Sequence, residues 1–448
     1  MSRKISYCTT FLLLAGIHLY AQEKQPPRWT VEACIDYAVD HNHQVRQQLY
    51  IQKNIKSQHI RAIGNFLPYI SAGTSIQNSY GRAIDPETNT YTDVSTFSNG
   101  YSLSASISLF EGFRRYHDLR TAKAQMLLGR QGLQAQKDQV SLNVLQTYLN
   151  VLYCQEMVRM TEEKRKQSQS LLRQTGVMLE IGTKGEPDRA QMSATLAADE
   201  YELTHQKNLL EKAILALKKE MNFPIGDTLA LETVRTETGS EQASAPEAVI
   251  YQQAQTVYPS ILQAQTSIRI ARSQLQSAKS GFYPSLSLSM GMSSSYYKNI
   301  NDQQARHFAE QMKNNSGQYI SATLSIPLFN RLNTITGIRD RRNNLKQARE
   351  NLEYEQQELH RLITEAISDR ESACMELRKI EQRVQADSIA SGITIRKWEE
   401  GLASPIDVQT AAVTLLQSEA QRLQCRLNYI YNTRLLDYYQ GKPLWTEK

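Results

Sequence analysis

Two stretches far apart in the chain, Tyr101–Leu109 (YSLSASISL) and Tyr319–Ile326 (YISATLSI), alternate small polar and apolar residues, and each leads into a helix-compatible run of about 70 residues. Side chains on a strand point alternately to opposite faces, so each segment has one oily and one hydroxyl-lined face. Tyr101, Leu103, Ala105, Ile107 and Leu109 oppose Ser102, Ser104, Ser106 and Ser108, and Ile320, Ala322, Leu324 and Ile326 oppose Ser321, Thr323 and Ser325. Two further segments keep the pattern. Leu286, Leu288, Met290 and Met292 alternate with Ser285, Ser287, Ser289 and Gly291, while Ile70, Ala72, Thr74 and Ile76 form a weaker version. Such strands need lipid or a core on one side and water or a polar lumen on the other.

The landmarks recur. Pro68 and Pro284 open the first strand of each set at an offset of 216, while Phe110 and Phe329, Gly182 and Gly401, and Asp188 and Asp407 repeat at 219. Repeated spacing of this kind marks an internal duplication. Residues 22–222 form the first repeat with strands 69–80 and 100–110, and 246–448 the second with strands 285–296 and 318–328. Residues 223–245 read as an irregular linker packed against the body. Short helices are expected at Val31–Val39, His43–Phe66, Pro246–Ala254 and Ser260–Gly281, and polar loops at Gly81–Asn99 and Asn299–Gly317.

Arg114–Ile181 and Leu332–Glu400 read as the long helices, roughly 100 Å each at 1.5 Å per residue. Gly129, Gly132 and Gly176 weaken the first of these, although no proline accompanies them. Pro187 suits the first turn of a return helix that carries Leu196, Leu203, Leu210 and Leu217 at sevens. Leu142, Leu145, Leu149 and Leu152 offer a matching seam, as do Leu352, Leu359, Leu362 and Ala366. The return helix and His43–Phe66 together nearly equal the long helix in length, so the two should stack end to end beside it.

Residues 1–21 have the build of a signal peptide: Arg3 and Lys4, then Phe11–Ile17, then a cleavage point after Ala21. Cys8 lies before the apolar stretch and Cys34 well after it, so neither sits where a lipoprotein signal needs its lipidated cysteine. The four later cysteines, Cys34, Cys154, Cys374 and Cys425, lack metal-ligand spacing and read as free buried thiols or as one disulfide with two thiols. Removing the signal lowers the formal charge from +6 to +4, which gives no case for nucleic acid. No later segment is long and apolar enough for a spanning helix, so membrane insertion would fall to the strands. Catalytic motifs are missing too: there is no His-Glu-x-x-His, phosphate-binding glycine loop or nucleophile elbow. No enzyme, cofactor or metal site is expected.

Segments of 9 to 11 residues suit tilted membrane strands. Aromatics stand at both ends, Phe66, Tyr69, Phe110, Phe282, Tyr283 and Phe329 at one level and Tyr80, Tyr101, Tyr296, Tyr297 and Tyr319 at the other, as in interfacial girdles. Open sheet edges are not tolerated in hydrocarbon, and single-chain barrels start at about eight strands. Four strands therefore imply subunits sharing a barrel. Small inner residues favour the wide trimer of twelve strands over a dimer of eight.

The segment Trp29-Thr30-Val31-Glu32-Ala33-Cys34-Ile35-Asp36-Tyr37-Ala38, the strand exits Leu109-Phe110-Glu111-Gly112 and Pro327-Leu328-Phe329-Asn330, and Glu400-Gly401-Leu402-Ala403-Ser404-Pro405-Ile406-Asp407-Val408 together resemble the TolC-like outer-membrane efflux proteins, the outer membrane factors. The resemblance covers nearly the whole mature chain. It implies an α+β membrane protein: a homotrimeric 12-stranded β-barrel in the outer membrane, four strands per subunit, continuous with a long periplasmic α-helical coiled-coil barrel. It further implies a periplasmic adaptor protein and an inner-membrane pump of RND or ABC type as partners, with outer-membrane lipid around the barrel. Adaptor hairpins would dock at the turns Gly182, Thr183, Pro187 and Gly401, Leu402, Ser404, Pro405. Family gate carboxylates map onto Asp407, while Thr410 stands where some members carry a second aspartate.

The residues themselves leave Asp407 two roles, a pore-facing gate carboxylate or a helix N-terminal acid, and Asp188 repeats the position. Ser102, Ser104, Ser106, Ser287, Ser321 and Thr323 are the candidate barrel lumen. The function expected is an efflux exit duct; the alternatives are a type I protein-secretion duct, or a periplasmic or surface coiled-coil scaffold or adhesin.

Overall fold

Helix boundaries follow local capping chemistry. In a computed structural model, which describes residues 29–84, 89–232, 246–300 and 307–445, the Thr30 hydroxyl accepts from the Ala33 amide at 3.1 Å and starts α1 (Val31–His41). Asn42 ends that helix and starts α2 (His43–Gly64), its side chain accepting from the Gln44 amide at 2.7 Å. The chain then forms β1 (Tyr69–Ile84), β2 (Tyr91–Glu111), α3 (Arg114–Glu180), α4 (Glu186–Met221), α5 (Glu247–Val257) and α6 (Pro259–Lys279). It continues through β3 (Ser285–Asn299), α7 (Phe308–Asn314), β4 (Gly317–Ser325), α8 (Asn333–Glu399) and α9 (Pro405–Tyr439). The expected signal peptide and residues 233–245 of the expected linker lie outside the described residues.

The strands make one antiparallel sheet in the order β1-β2-β3-β4, which leaves β1 and β4 as its edges. Both expected polar loops contain more structure than composition suggested. β1 and β2 extend to pair Ile84 with Tyr91, and α7 interrupts the connection between β3 and β4. Cross-strand pairing supplies partners to backbone groups that polar side chains alone leave unassigned.

α3 and α8 are unbroken helices of 67 residues each. Gly129 and Gly132 do not interrupt α3; they mark where α2 crosses it closely. A Cβ on Gly129 would fall 2.9 Å from Ile55 Cδ1, and one on Gly132 would fall 2.8 Å from Gln48 Nε2. α2 and α4 both lie along α3, and α6 and α9 both lie along α8. Where α4 meets α2, Asn42 Nδ2 donates to the Glu220 carbonyl at 2.7 Å and Asn222 Nδ2 donates to the His41 carbonyl at 3.0 Å. The other junction is aromatic: Tyr258 packs against Tyr438 and Tyr439 with centroids 6.2 and 5.9 Å apart. Short helices therefore meet end to end beside each long one.

The main cores sit around these junctions. One gathers Cys34, Ile35, Val144, Tyr148, Leu149 and Leu217, with the Tyr148 hydroxyl in reach of the Trp29 carbonyl at 3.0 Å and the Glu232 carbonyl at 2.6 Å. The other gathers Ile250, Ala254, Ile261, Leu359, Ile363 and Leu436. The leucine seams thus pack as knobs between neighbouring helices. Cys34 and Cys154 are buried free thiols, whereas Cys374 and Cys425 are free but only half-buried.

Candidate functional site

Strand register separates the two faces of the sheet. Leu103 lies between Ala72 and Met292, and Ala105 lies between Ile70 and Met290. On the opposite face Ser104 lies between Ser71 and Gly291, Ser106 between Tyr69 and Ser289, and Ser289 next to Ser321. Ser102 pairs with Ser293, and Ser287 with Thr323. Residues opposite one another in register share a face, so Ser102, Ser104, Ser106, Ser287, Ser321 and Thr323 all lie on one side. The Ser71 and Ser104 hydroxyls are hydrogen-bonded at 2.9 Å.

Register also corrects four sequence expectations. Tyr319 pairs with Gly291, Tyr69 with Ser106 and Tyr297 with Ser98, so all three rings project from the serine face rather than joining a lipid-facing girdle. A bulge between Ser108 and Phe110 sets Phe110, not Leu109, opposite Leu286 on the apolar side. One inserted residue flips the alternation of everything after it. No count of apolar and polar positions reveals such a slip.

The second zone is the pair of turns at the far ends of the long helices. Each ends in the same hydrogen-bonded lock. Gly182 and Gly401 both take φ of 78°, a left-handed value that favours glycine. The Gly182 and Thr183 amides donate back to Leu179 and Met178, and the Gly401 and Leu402 amides to Trp398 and Lys397. Asp188 and Asp407 then begin α4 and α9. The Gly185 amide donates to Asp188 Oδ2 at 3.0 Å, and the Ser404 amide donates to Asp407 Oδ2 at 2.8 Å. Asp407 N–H returns a bond to Ser404 Oγ at 3.2 Å, completing a capping box. The Ser404 amide, and after it the Ser404 hydroxyl, which also donates to Oδ2 at 2.8 Å, hold the Asp407 carboxyl below its ordinary pKa, although it is exposed. Thr410 Oγ donates to the Ile406 carbonyl at 2.8 Å.

The two turns touch. Lys184 of the first reaches the Ala403 carbonyl of the second at 3.4 Å, with its ammonium over the buried Trp398 ring. Leu171, Met192, Trp398 and Val408 pack beneath them. Pro187, Leu402, Ser404 and Ile406 are exposed around this contact. Lys184 and Trp398 escaped the sequence reading because nothing in a lysine's neighbours announces a contact more than 200 residues away; offset comparison aligns the glycines but not cross-turn packing.

An open-edged sheet with one apolar and one hydroxyl face, joined directly to long paired helices, has known counterparts. The model of the outer membrane efflux protein family matches residues 36–222 and 250–439, most of the chain. The chain belongs to that family. Outer membrane protein TolC of Escherichia coli (strain K12) is 23% identical over 355 residues, covering 75% of this chain and 71% of that protein. Among solved structures, CusC superposes with a TM-score of 0.79 at 17% identity, covering 92% of each chain. The outer membrane protein VceC of Vibrio cholerae gives 0.76 at 14% identity, covering 92% of this chain and 96% of that one.

Family membership makes this an outer-membrane efflux channel with a periplasmic helical tunnel. The fold class is a trimeric barrel, four strands per subunit, continuous with that tunnel. No helix among the described residues is long and apolar enough to cross a membrane.

Proposed function

We propose that the chain is the exit duct of a tripartite efflux system, conducting solutes passively from a pump and adaptor across the periplasm and outer membrane. The observation that carries this reading is the direct passage from a serine-faced sheet with two open edges into two 67-residue helices. Pairing β4 of one subunit with β1 of the next, three times over, satisfies every open edge in a closed barrel. The face bearing Ser102, Ser104, Ser106, Ser287, Ser321 and Thr323 then lines the pore. Exposed side chains on α2 (Leu49, Ile60, Ile63) and on α8 (Ile335, Tyr354, Ile389) are the apolar surface that neighbouring subunits cover.

The turns containing Gly182, Thr183, Pro187, Gly401, Leu402, Ser404 and Pro405 are the adaptor-docking tips, with Ile181, Leu402 and Ile406 as apolar anchors. An RND or ABC pump supplies the energy. Asp407 combines two roles: one carboxylate oxygen caps α9, while the exposed charge, brought to threefold proximity at the tunnel entrance, favours cations there. Asp188 and Thr410 flank it.

Reconstitution into planar bilayers tests both levels. Trimers with ion conductance are expected; soluble monomers without conductance would sink the duct. Asp407→Asn keeps a side-chain oxygen for the Ser404 amide but removes the charge, so α9 should start unchanged while cation preference falls. Unaltered ion selectivity would leave Asp407 with the cap alone.

A further inference from the structure

Helix α7 stands between β3 and β4 and is fastened to the sheet by amide side chains. The Tyr297 amide donates to Gln311 Oε1 and Gln311 Nε2 donates to the Tyr297 carbonyl, both at 2.8 Å. Asn315 Nδ2 donates to the Ser295 carbonyl at 2.7 Å, and Ser294 Oγ donates to the Met312 carbonyl at 2.7 Å. β4 begins at Gly317, opposite Ser293, so β3 continues past the end of its neighbour. Gln311 and Asn315 occupy that edge much as another strand would, which closes it to further pairing.

The same helix lies on the apolar face. Phe308 meets Tyr101 with ring centroids 6.3 Å apart and Tyr296 at 5.4 Å, and these tyrosines share their face with Leu103 and Met292. Tyr296 stands eleven residues beyond Ser285 on β3. At about 3.3 Å per residue and a tilt near 40°, that is roughly 25–30 Å of height, close to the apolar band of an outer-membrane barrel. α7 is therefore level with the outer lipid boundary. Between it and the sheet runs a groove lined by the apolar Ala72, Tyr101, Leu103, Met292 and Met312, with hydroxyl residues, Thr74, Ser294 and Ser316 among them, completing it. Tyr101, Leu103 and Met292 are exposed, and on the same face the register leads from Leu103 through Ala105 to Ile70 and from Met292 through Met290 to Ile320, with Thr74 and Gln318 beside that path.

We propose that α7 is an interfacial clamp whose groove holds an acyl chain of an outer-membrane lipid. The groove is an extension of a surface that already faces hydrocarbon, and its walls are mostly flexible methionine, leucine and ring carbon, suited to an alkyl chain. The backbone bonds from Gln311 and Asn315 keep the helix against the barrel where aromatic side chains meet headgroups.

A tryptophan at Met312 reports the occupant. The chain has three native tryptophans, Trp29, Trp398 and Trp445, all in the helical body, so the difference between Met312→Trp and parent isolates the added emission. Trimers are placed in phosphatidylcholine vesicles with plain or dibrominated acyl chains, and iodide is added to the water in a parallel series. The added emission should be blue-shifted, lose most of its intensity to brominated chains and resist iodide. Quenching by iodide alone would put α7 in water, and quenching by neither would mean that the groove is closed on protein; either result overturns the proposal. Phe308→Trp, which keeps an aromatic ring against Tyr101 and Tyr296, gives the same readout if Met312→Trp does not assemble.

Discussion

Asp138 is 5% exposed on α3, where Tyr438 donates to it at 3.0 Å and Gln134 at 3.2 Å. Burial pushes its pKa up to about 6, against the opposing pull of these hydrogen bonds and of Lys137. Between the ordinary carboxylate range and about pH 6 the folded chain holds a proton that the unfolded chain has released. This group's contribution to stability therefore falls as pH rises through that window and is level above it. Asp138→Asn keeps an acceptor for Tyr438 and carries no charge. At about pH 7.5 it should unfold later than the parent, by at most about 3 kcal/mol, and the gap should shrink toward about pH 4 in thermal melts at both pH values. Nothing in the residues around Asp138 in the chain distinguishes it from the solvated carboxylates of the same helix; Tyr438, 300 positions away, does.

Between elements, the duplication exposes an exchange of chemistry. Lys164 and Ser168 of α3 both grip Asp199 of α4, at 2.7 and 2.6 Å. At the 219 offset stand Arg383, Asp387 and Ser418: the carboxylate has moved to the long helix and the hydroxyl to the return helix, and Arg383 meets Asp387 at 3.4 Å. Ser418 itself donates to the Leu415 carbonyl of its own helix at 2.9 Å, so only the first repeat joins all three positions by hydrogen bonds. Asp199→Ser alone strands a mostly buried Lys164 and should cost about 3 kcal/mol in chemical unfolding. Adding Ser168→Asp rebuilds the second repeat's pattern within the first and should recover most of that loss; no recovery would mean that the two sites are unrelated. The offset was readable in the sequence, but that Lys164, Ser168 and Asp199 meet one another required the packed helices. Helix extents were legible because the leucine seams and the Gly and Pro punctuation are local, whereas α7 lay hidden in a segment with neither periodicity nor length.

At the scale of the assembly, the alternating strands make the sharpest claim. With subunits closed into a barrel, Ser104→Cys should react with a membrane-impermeant thiol reagent reaching the pore, and Leu103→Cys should instead react with a lipid-soluble one. Both measurements use a background in which the half-buried Cys374 and Cys425 are replaced. Equal aqueous labelling at the two adjacent positions would contradict the separation of faces. Tyr319, assigned by register to the serine face, should follow Ser104 rather than Leu103 when changed to cysteine.

The sequence by itself determined the two-faced strands, the paired long helices with their tip turns, and the need for subunits to complete a sheet. All three follow from period, punctuation and the cost of unpaired backbone in lipid, which are properties of short windows. Tertiary structure alone decided the phase slip at Leu109, the faces of Tyr69 and Tyr319, the raised pKa of Asp138 and the fastening of α7. Each depends on a partner supplied by a distant part of the chain, and alternation within a segment carries no information about which residue stands opposite.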